Sequence, residues 1–417
     1  MGLNQQTSSE RLHIGFFGLR NAGKSSVVNA VTGQNVSVVS AVMGTTTDPV
    51  KKAMELLPIG PVVIIDTPGI DDEGELGELR VKQTRKILRQ TDVAVLVVDG
   101  WKGLTDADRE LLALFQKRNI PYIIAMNKCD LKISAPENAK ADDEGWKNIE
   151  NHTDSERLEH IIDVSALTGK HIYELKELIG KVGKSQTNDK RIVGDLIAPG
   201  DVVVLVTPID AAAPKGRLIL PQQQTIRDIL DANGINVVVK ETELEDTLTQ
   251  LGHLPKLVIT DSQVFEKVNQ IVPKDMLLTS FSILFARYKG NLDTLVNGAA
   301  MLDQLQENDH ILISEGCTHH RQCGDIGTDK LPKWIGQYTK KNLEFHFTSG
   351  TDFPEDLSDY ALVIHCGGCM LNEREMKSRL LQCEESGIPV TNYGTAIAKM
   401  NGILDRTLEP FGKPELK

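Results

Sequence analysis

Residues 18–25 read Gly-Leu-Arg-Asn-Ala-Gly-Lys-Ser, a run that combines two glycines with one hydroxyl and a lysine. Glycines let a backbone wrap an anion, so that amide N–H groups and the amino end of a following helix face phosphate oxygens. At this spacing Lys24 would reach the β- and γ-phosphates of a nucleotide, and Ser25 would ligate Mg²⁺. We therefore predict a triphosphate site formed by Gly18, Asn21, Ala22, Gly23, Lys24, Ser25 and Ser26.

Three further segments predict which nucleotide this loop would bind. Asp66 ends the apolar run VVIID, where its carboxylate can hold Mg²⁺ through the coordination shell, and Thr67-Pro68-Gly69 follows it. Asn127-Lys128-Cys129-Asp130 ends another apolar run, and a carboxylate there accepts the N1 and N2 protons of guanine, a pair that adenine lacks. Ser165 and Ala166 come where a backbone group would contact the guanine O6. Together the segments predict a GTP site.

Cysteine and histidine side chains follow two other apolar runs. Cys317-Thr318-His319 comes after ILIS, and His365-Cys366-Gly367-Gly368-Cys369 comes after ALVI. If both runs are parallel strands of one sheet, both loops emerge at the same carboxyl edge, and three thiols converge there with the imidazoles. Three thiolates without a defined fourth donor favour an iron–sulfur cluster over zinc. Zinc, a redox Cys-x-x-Cys pair and plain buried thiols remain alternatives.

The elements that must position these residues follow from short apolar runs rich in branched side chains. LHIGFFG, VVIID, VAVLVVD and YIIAMN read as buried parallel strands with helical segments between them. Strands that alternate with helices predict a doubly wound α/β sheet. Further series begin at VVVLVTPID and at HILISEG, so we predict a P-loop GTP-binding domain followed by two smaller α/β domains with largely parallel sheets. The predicted domains are 1–180, 191–275 and 276–417, with an apolar-poor linker at 181–190.

Composition limits the partners. The 417 residues include 46 basic and 58 acidic side chains, a net charge of −12 at pH 7. An anionic chain makes nonspecific binding to nucleic acid or acidic lipid a poor expectation. No apolar run approaches the roughly 18–20 residues needed to span a bilayer, and the amino terminus has no apolar signal core. Five of the six cysteines follow residue 316, a skew typical of reduced thiols, so we expect a cytoplasmic protein without a membrane or nucleic-acid partner.

Residues 1–180 resemble the translation-factor-type GTPases, and within them the tRNA-modification and ribosome-assembly branch. Gly44-Thr45-Thr46-Thr47-Asp48 resembles the first switch of that branch, which implies that Thr46 completes the Mg²⁺ shell when GTP is bound. Asn21 matches the asparagine that holds K⁺ beside the phosphates in potassium-activated members. Ile70 stands where small signalling GTPases carry a water-positioning glutamine, so we expect slow hydrolysis that K⁺ stimulates. The resemblance assigns the catalysis of GTP hydrolysis to Lys24, Thr46 and Asp66.

The pattern C-x-H followed by H-C-x-x-C, downstream of a complete GTPase domain, resembles the FeFe-hydrogenase maturation GTPases (the HydF family) over the whole chain. The resemblance implies that Cys317, Cys366 and Cys369 hold a 4Fe–4S cluster whose fourth iron site is labile or has a non-cysteine ligand. His319 and His365 match the family pattern as further candidate ligands. A dimerisation domain in the middle of the chain, and hence a homodimer, is also implied, although the run VVVLVTP could equally be an interior strand.

By the same resemblance the function is that of a GTP-hydrolysing scaffold or carrier, which transfers a di-iron precursor to the FeFe-hydrogenase apoprotein and works with two radical-SAM maturases. Two other functions stay open from the residues alone. An RNA-modification or ribosome-assembly GTPase would fit residues 1–180, but the chain lacks a basic, aromatic-studded segment. A zinc-stabilised GTPase chaperone would use the same thiols with another metal. Colour separates these cases, because a zinc protein is colourless and an iron–sulfur protein is brown.

Overall fold

A computed structural model describes residues 8–34, 50–67, 83–133, 160–184, 190–209, 218–316 and 325–412. The chain divides into two compact units, Met1–Asn188 and Asp189–Lys417. Among the described residues, no helix is both long and apolar enough to cross a bilayer. Four of the predicted site residues lie outside the described residues, namely Thr46, Gly69, Cys317 and His319.

The first unit contains a six-stranded sheet with the strand order β2-β3-β1-β4-β5-β6. β2 is antiparallel to β3, and the other neighbours are parallel. The strands are β1 (Leu12–Phe17), β2 (Val50–Leu56), β3 (Gly60–Asp66), β4 (Val93–Asp99), β5 (Tyr122–Asn127) and β6 (Ile161–Asp163). The helices are α1 (Lys24–Thr32), α2 (Asp106–Lys117), α3 (Cys129–Ile133) and α4 (Ile172–Lys184), and residues 83–88 are also helical.

β4 shows why these apolar runs form central strands. Val93, Val95 and Val97 belong to the hydrophobic cluster on one face of the sheet. Ala94, Leu96 and Val98 belong to the cluster on the other face. A strand covered by helices on both faces buries every side chain, which explains a continuous apolar run instead of an alternating one. The P-loop arrangement of a parallel sheet predicted for this part of the chain is confirmed.

The second unit contains two four-stranded parallel sheets. We number the three sheets along the chain, so the sheet of the first unit is the first sheet. The second sheet has the order β10-β9-β7-β8, and the third sheet has the order β12-β11-β13-β14. The second sheet consists of β7 (Val202–Val206), β8 (Ile235–Val239), β9 (Leu257–Thr260) and β10 (Leu278–Ser280). The third sheet consists of β11 (His310–Glu315), β12 (Glu344–Ser349), β13 (Leu362–His365) and β14 (Val390–Asn392).

These sheets can be compared with two expectations from the sequence, the domain boundary at residue 275 and the position of the VVVLV run. The second sheet continues to Ser280, past the expected domain boundary at residue 275. β7, which carries the VVVLV run, lies between β9 and β8. It is therefore an interior strand of its own sheet, and its backbone hydrogen bonds are used within the chain.

The helices of the second unit connect and cover both sheets. They are α5 (Leu220–Asp231), α6 (Leu244–Gln250), α7 (Phe265–Ile271), α8 (Phe281–Lys289), α9 (Leu292–Ala299), α10 (Leu331–Thr339), α11 (Glu373–Glu385), α12 (Tyr393–Met400) and α13 (Leu404–Leu408). Short 3₁₀ turns occur at Ser8–Glu10, Ser262–Val264, Ala300–Asp303 and Glu409–Phe411, and one π-helical turn at Ile326–Lys330.

Helix α8 explains why the two sheets form one compact unit. It begins directly after β10, where the Ser280 hydroxyl accepts a hydrogen bond from the Ile283 amide at 3.2 Å and caps the helix. Leu284 packs in the core of the second sheet, whereas Ile283 packs in the core of the third. A helix that buries residues in both cores packs the two sheets into one unit. It ends at Lys289, which reaches the cysteine loop described below.

Candidate functional site

The phosphate loop lies between β1 and α1, and two of its glycines cannot be replaced without strain. Gly18 has a φ of +148°, and a Cβ there would stand 2.3 Å from the Val97 carbonyl oxygen. Gly23 has a φ of +86°, and its Cβ would stand 2.3 Å from Asn127 Nδ2. Helix α1 begins at the next residue, Lys24, so its free amide groups point into the loop.

Lys24, Ser25 and Asp66 come together at the carboxyl ends of β1 and β3. The Ser25 hydroxyl donates to Asp66 Oδ2 at 3.1 Å, and Lys24 Nζ lies 3.7 Å from Asp66 Oδ1. Oδ1 is buried and accepts no hydrogen bond from the described part of the chain. A buried carboxylate oxygen beside a hydroxyl is a suitable environment for Mg²⁺, which takes one or two carboxylate or hydroxyl oxygens and the phosphates of its nucleotide. The residues present therefore fit the predicted metal.

Asn127 joins three of the predicted nucleotide motifs. It is 3% exposed at the end of β5. Its Nδ2 donates to the Ala22 carbonyl at 3.0 Å, and its Oδ1 accepts from the Ala166 amide at 3.1 Å. The side chain thus holds the phosphate loop and the Ser165–Ala166 segment in fixed positions. A buried amide whose donor and acceptor are both used can take up only this orientation.

Lys128 makes a second connection, through a residue that the sequence analysis missed. Its Nζ donates to the Asn21 carbonyl at 2.8 Å and to Asp99 Oδ2 at 2.6 Å. Burial disfavours the Asp99 carboxylate, but hydrogen bonds from Lys128 and the Trp101 amide outweigh it and lower its pKa. Asp99 ends β4, the neighbour of β5, and its position after an apolar run was the available signal.

The remaining predicted nucleotide residues lie at the same edge of the sheet. Ser26 is exposed in the first turn of α1. Asp130 lies in α3, directly after β5, and Ser165 is buried, with its hydroxyl accepting from the Thr168 amide at 3.1 Å. The structure thus brings the described predicted residues of the phosphate loop, β3 and β5 to the same edge of the sheet.

The thiol site lies at the carboxyl edge of the third sheet. β11 and β13 are parallel neighbours, with Ser314 opposite His365. Cys366 follows β13, and its Sγ accepts N–H bonds from Gly316 at 2.9 Å and from Gly368 at 3.4 Å. β11 and β13 therefore end at the same edge of the sheet, and Gly316, after β11, is the residue before Cys317 in the sequence. Peptide N–H groups on a sulfur are the hydrogen bonds that tune an iron–sulfur cluster.

Lys289 holds the loop that contains Cys369. It is 3% exposed, and its Nζ donates to the carbonyl groups of Gly368 (3.3 Å), Cys369 (3.1 Å) and Leu371 (2.7 Å). Burial raises the pKa of the Cys369 thiol, and the charge of Lys289 opposes that rise. A metal ion that binds this thiol must displace its proton. A buried cation beside the loop favours the thiolate and any anionic cluster that it holds.

His365 occupies a different position from the one expected of a cluster ligand. Its Nδ1 is 2.9 Å from the Cys366 carbonyl, which only accepts, so Nδ1 carries the proton. Its Nε2 then accepts from Arg379 Nη1 at 2.9 Å. Burial, followed by the charge of Arg379, lowers the pKa of His365 to about 3. Both ring nitrogens are engaged within the protein, so in this arrangement neither is available to iron.

Arg379, on α11, fixes the orientation of that imidazole. It is 1% exposed and donates to Glu375 Oε1 at 2.8 Å, to the Ser314 hydroxyl at 3.1 Å and to the Gly350 carbonyl at 2.7 Å. Its guanidinium also lies 5.0 Å from the ring centroid of Phe353. The sequence shows only an ordinary i, i+4 pair of Glu375 and Arg379 on a helix. Nothing in that local pattern indicates that the pair is buried.

Comparison with known families identifies the second unit. Residues 293–410 match the family model of the hydrogen maturase F tetramerization domain, and residues 192–290 match that of the hydrogen maturase F dimerization domain. Together the two matches cover more than half of the chain. The chain belongs to the hydrogen maturase F family. Its residues 13–128 match a third model, described as 50S ribosome-binding GTPase, and the first unit has the P-loop GTPase fold.

The relatives among curated proteins match the GTPase part of the chain. GTPase Der of Campylobacter concisus is 35% identical over 183 residues, 43% of this chain and 38% of that protein. GTPase Der of Nitratidesulfovibrio vulgaris strain DP4 is 32% identical over 186 residues, 43% of this chain and 36% of that protein. The chain thus spans less than two fifths of the length of these two relatives.

Solved structures similar to this chain include GTP-binding proteins. A point variant of Aquifex aeolicus Era bound to GDP·AlF4⁻ is 21% identical, with a TM-score of 0.36, and the match covers 58% of this chain and 98% of that one. A protein described as a probable GTP-binding protein engB is 26% identical, with a TM-score of 0.33, over 42% of this chain and 100% of that one.

Proposed function

We propose that this chain is a GTP-hydrolysing scaffold of FeFe-hydrogenase maturation, which binds a 4Fe–4S cluster and transfers a di-iron precursor to the hydrogenase apoprotein. One observation carries the proposal. The amide of Gly316, after β11, donates to the sulfur of Cys366, after β13, at 2.9 Å. This contact joins the residue before one predicted ligand segment to a cysteine of the other, in a chain that also has a phosphate loop and both hydrogen maturase F domains.

Cys317, Cys366 and Cys369 are the proposed cluster ligands. When bound, a 4Fe–4S cluster supplies an electron-transfer centre with one iron that the three cysteines leave open. His319 remains the candidate histidine for that iron. We assign His365 a positioning role instead, because it donates to the Cys366 carbonyl and accepts from Arg379. Lys289 and the amides of Gly316 and Gly368 stabilise the negative charge of the thiolates.

The nucleotide site is proposed to hydrolyse GTP with Mg²⁺ held by Ser25, Thr46 and Asp66. Lys24 would neutralise the β- and γ-phosphates, and Asp130 would select guanine. Asn21 is the proposed K⁺ ligand, and the cation would stabilise the charge that develops during phosphoryl transfer. Ile70 cannot hydrogen-bond the attacking water as a glutamine would. Hydrolysis should therefore be slow in NaCl and faster in KCl.

The oligomeric state and the partners complete the proposal. The matches to dimerization and tetramerization domains support a homo-oligomer formed through the second unit. The proposed partners are the FeFe-hydrogenase apoprotein and two radical-SAM maturases. Nucleic acid is not a proposed partner, since the net charge of −12 opposes the phosphate contacts that dominate such binding.

The decisive experiment is anaerobic reconstitution of the full chain with iron and sulfide, followed by absorption and reduced EPR spectra. The Cys366→Ser and Cys369→Ser variants are treated in parallel. Cys383→Ala is the matched control, because Cys383 is a buried thiol on α11 outside the two ligand segments. We expect a brown protein with an axial signal that both serine variants lose and the control keeps. A colourless protein with one tightly bound zinc per chain would contradict the cluster proposal and favour the zinc-stabilised GTPase.

A further inference from the structure

A second group of metal-ligating side chains lies on the third sheet, away from the thiols. β11 and β12 are parallel, with His310 opposite Glu344 and Leu312 opposite His346. Residues two apart on a strand project to the same face. His310, Glu344 and His346 therefore share one face, and one possible ligand atom from each lies within 4.8 Å of the others.

The contacts within this group go beyond a simple ion pair. His310 Nε2 is 3.3 Å from Glu344 Oε2, and the ring centroids of His310 and His346 are 5.3 Å apart. His346 Nδ1 is 3.1 Å from the hydroxyl of Tyr360, whose ring packs edge-on against it. A cross-strand ion pair would need only His310 and Glu344. The second imidazole, with a hydroxyl on its Nδ1, has the form of a metal ligand oriented by an outer hydrogen bond.

We propose that His310, Glu344 and His346 bind one divalent first-row transition-metal ion, such as Zn²⁺, Co²⁺ or Fe²⁺. Two imidazoles and one carboxylate bind these ions in preference to Mg²⁺ or Ca²⁺, which take oxygen ligands. With the Nδ1 proton of His346 donated to the Tyr360 hydroxyl, its Nε2 carries the lone pair that a metal needs. Three protein ligands leave at least one coordination position for water or a small molecule.

This site is separate from the thiol site. His310 begins β11, whereas Ser314 of the same strand pairs with His365, the residue before Cys366. Four residues of strand at about 3.3 Å each place the two sites roughly 13 Å apart along the sheet. Ions can reach the new site from solvent, since the side chains of His310 and Glu344 are 37% and 59% exposed. The inference does not depend on the proposed cluster.

The test uses the untagged full chain in which Cys317, Cys366 and Cys369 are all changed to serine, so that the predicted thiol ligands are absent. This chain is titrated with Co²⁺, and bound ion is followed by visible absorption and by equilibrium dialysis. We expect one Co²⁺ per chain with ligand-field bands and without the thiolate-to-cobalt charge-transfer band. Zn²⁺ should displace Co²⁺, because Zn²⁺ binds such sites more tightly than Co²⁺ does.

Variants in the same background separate ligands from neighbours. His346→Ala and Glu344→Gln should each abolish stoichiometric binding, and Tyr360→Phe should weaken it by about 10-fold as the loss of an outer hydrogen bond. His253→Ala is the control, because His253 is an exposed histidine outside the group. Added Zn²⁺ should raise the Tm of the parent and of the control but not of His346→Ala. The proposal is overturned if the parent binds no Co²⁺, or if His346→Ala and His253→Ala bind it equally.

Discussion

Single residues at both candidate sites are constrained, by backbone geometry at one site and by buried charge at the other. In the phosphate loop the constraint is backbone geometry, as at Gly23, where φ is +86° and an added Cβ would stand 2.3 Å from Asn127 Nδ2. In the thiol site the constraint is buried charge, as at Lys289 and Arg379. In each case one substitution should change the site in a measurable way.

Gly23→Ala should weaken GTP binding at least about 10-fold. A left-handed φ costs a non-glycine residue roughly 1–2 kcal/mol, and the added Cβ must also push Asn127 away from Ala22. Gly33→Ala is a closely matched control, since Gly33 has a φ of +64° but no atom within 4 Å of an added Cβ. The control should lose stability and keep its nucleotide affinity in a fluorescent-nucleotide titration. Equal affinities of the two variants would contradict the assignment.

Lys289→Met should lower the reduction potential of the reconstituted cluster. The substitution removes a buried positive charge next to Cys369, and reduction of the cluster adds an electron that this charge stabilises. It also leaves loop carbonyls unsatisfied, at a cost of about 1–3 kcal/mol each. The measurement is an EPR-monitored redox titration, with the exposed Lys377→Met as the control. An unchanged potential together with unchanged iron content would remove Lys289 from the site.

His365 should make the second unit less stable in mild acid. Its pKa of about 3 in the folded state lies below the ordinary value of 6.5, so between these values the unfolded chain binds a proton that the folded chain does not. Stability therefore falls as pH falls below 6.5, by about 2 kcal/mol between pH 7 and pH 5.

Urea unfolding at both pH values would measure this loss. Trp334 serves as the probe for the second unit once Trp101 and Trp146 are changed to phenylalanine. His365→Gln should show a smaller loss than the parent, whereas His253→Gln should behave like the parent. The role given to His365 would be wrong if both variants lose the same stability as the parent.

At the scale of elements, the Glu375–Arg379 pair attaches α11 to the third sheet. Both side chains are 1% exposed, and Arg379 contacts β11 through Ser314, β13 through His365 and the turn at Gly350. Arg379, paired with Glu375, thus connects the helix to two strands at the edge of the sheet where Cys366 lies.

Arg379→Met should destabilise the second unit by about 3–5 kcal/mol, because it leaves the Glu375 carboxylate buried without its partner. The double variant Arg379→Met/Glu375→Met should regain much of that loss, since an apolar pair avoids the uncompensated charge. Urea unfolding measures both. A double variant that is as unstable as the single one would show that the contacts to His365 and Gly350, and not the ion pair, dominate.

At the scale of the whole molecule, the nucleotide site and the thiol site lie in different compact units. Lys24→Ala should lower GTP hydrolysis by about 100-fold or more, because the phosphates lose charge stabilisation. It should leave cluster assembly unchanged, because the thiol site lies in the other unit. Iron content, sulfide content and the EPR signal are the measurements after reconstitution. The reciprocal variant, Cys366→Ser, should keep its hydrolysis rate. If Lys24→Ala prevents cluster assembly, loading requires the nucleotide and the two units are coupled at that step.

Local signals in the sequence were enough to predict the first sheet and a nucleotide site at its edge. The spacing of residues 18–25, the apolar runs of β1, β3 and β5, and the residues that follow them predicted the nucleotide site and its sheet. The sheet prediction is confirmed, because a buried parallel strand is specified by neighbours in the chain. The phosphate-loop motif is also local in sequence, and its assigned residues stay a prediction. The two cysteine segments were identified for the same reason, with their convergence left conditional on strand pairing.

Only the tertiary structure decided which distant residues complete the sites. The pairing of β11 with β13 brings the Gly316 amide to the sulfur of Cys366. The buried Arg379 donates a hydrogen bond to His365, which the sequence pattern had marked as a candidate ligand. Lys289 and the group of His310, Glu344 and His346 likewise depend on contacts between separate elements. Strand order and the burial of a charged side chain arise from packing over the whole unit. No short window of sequence contains that information.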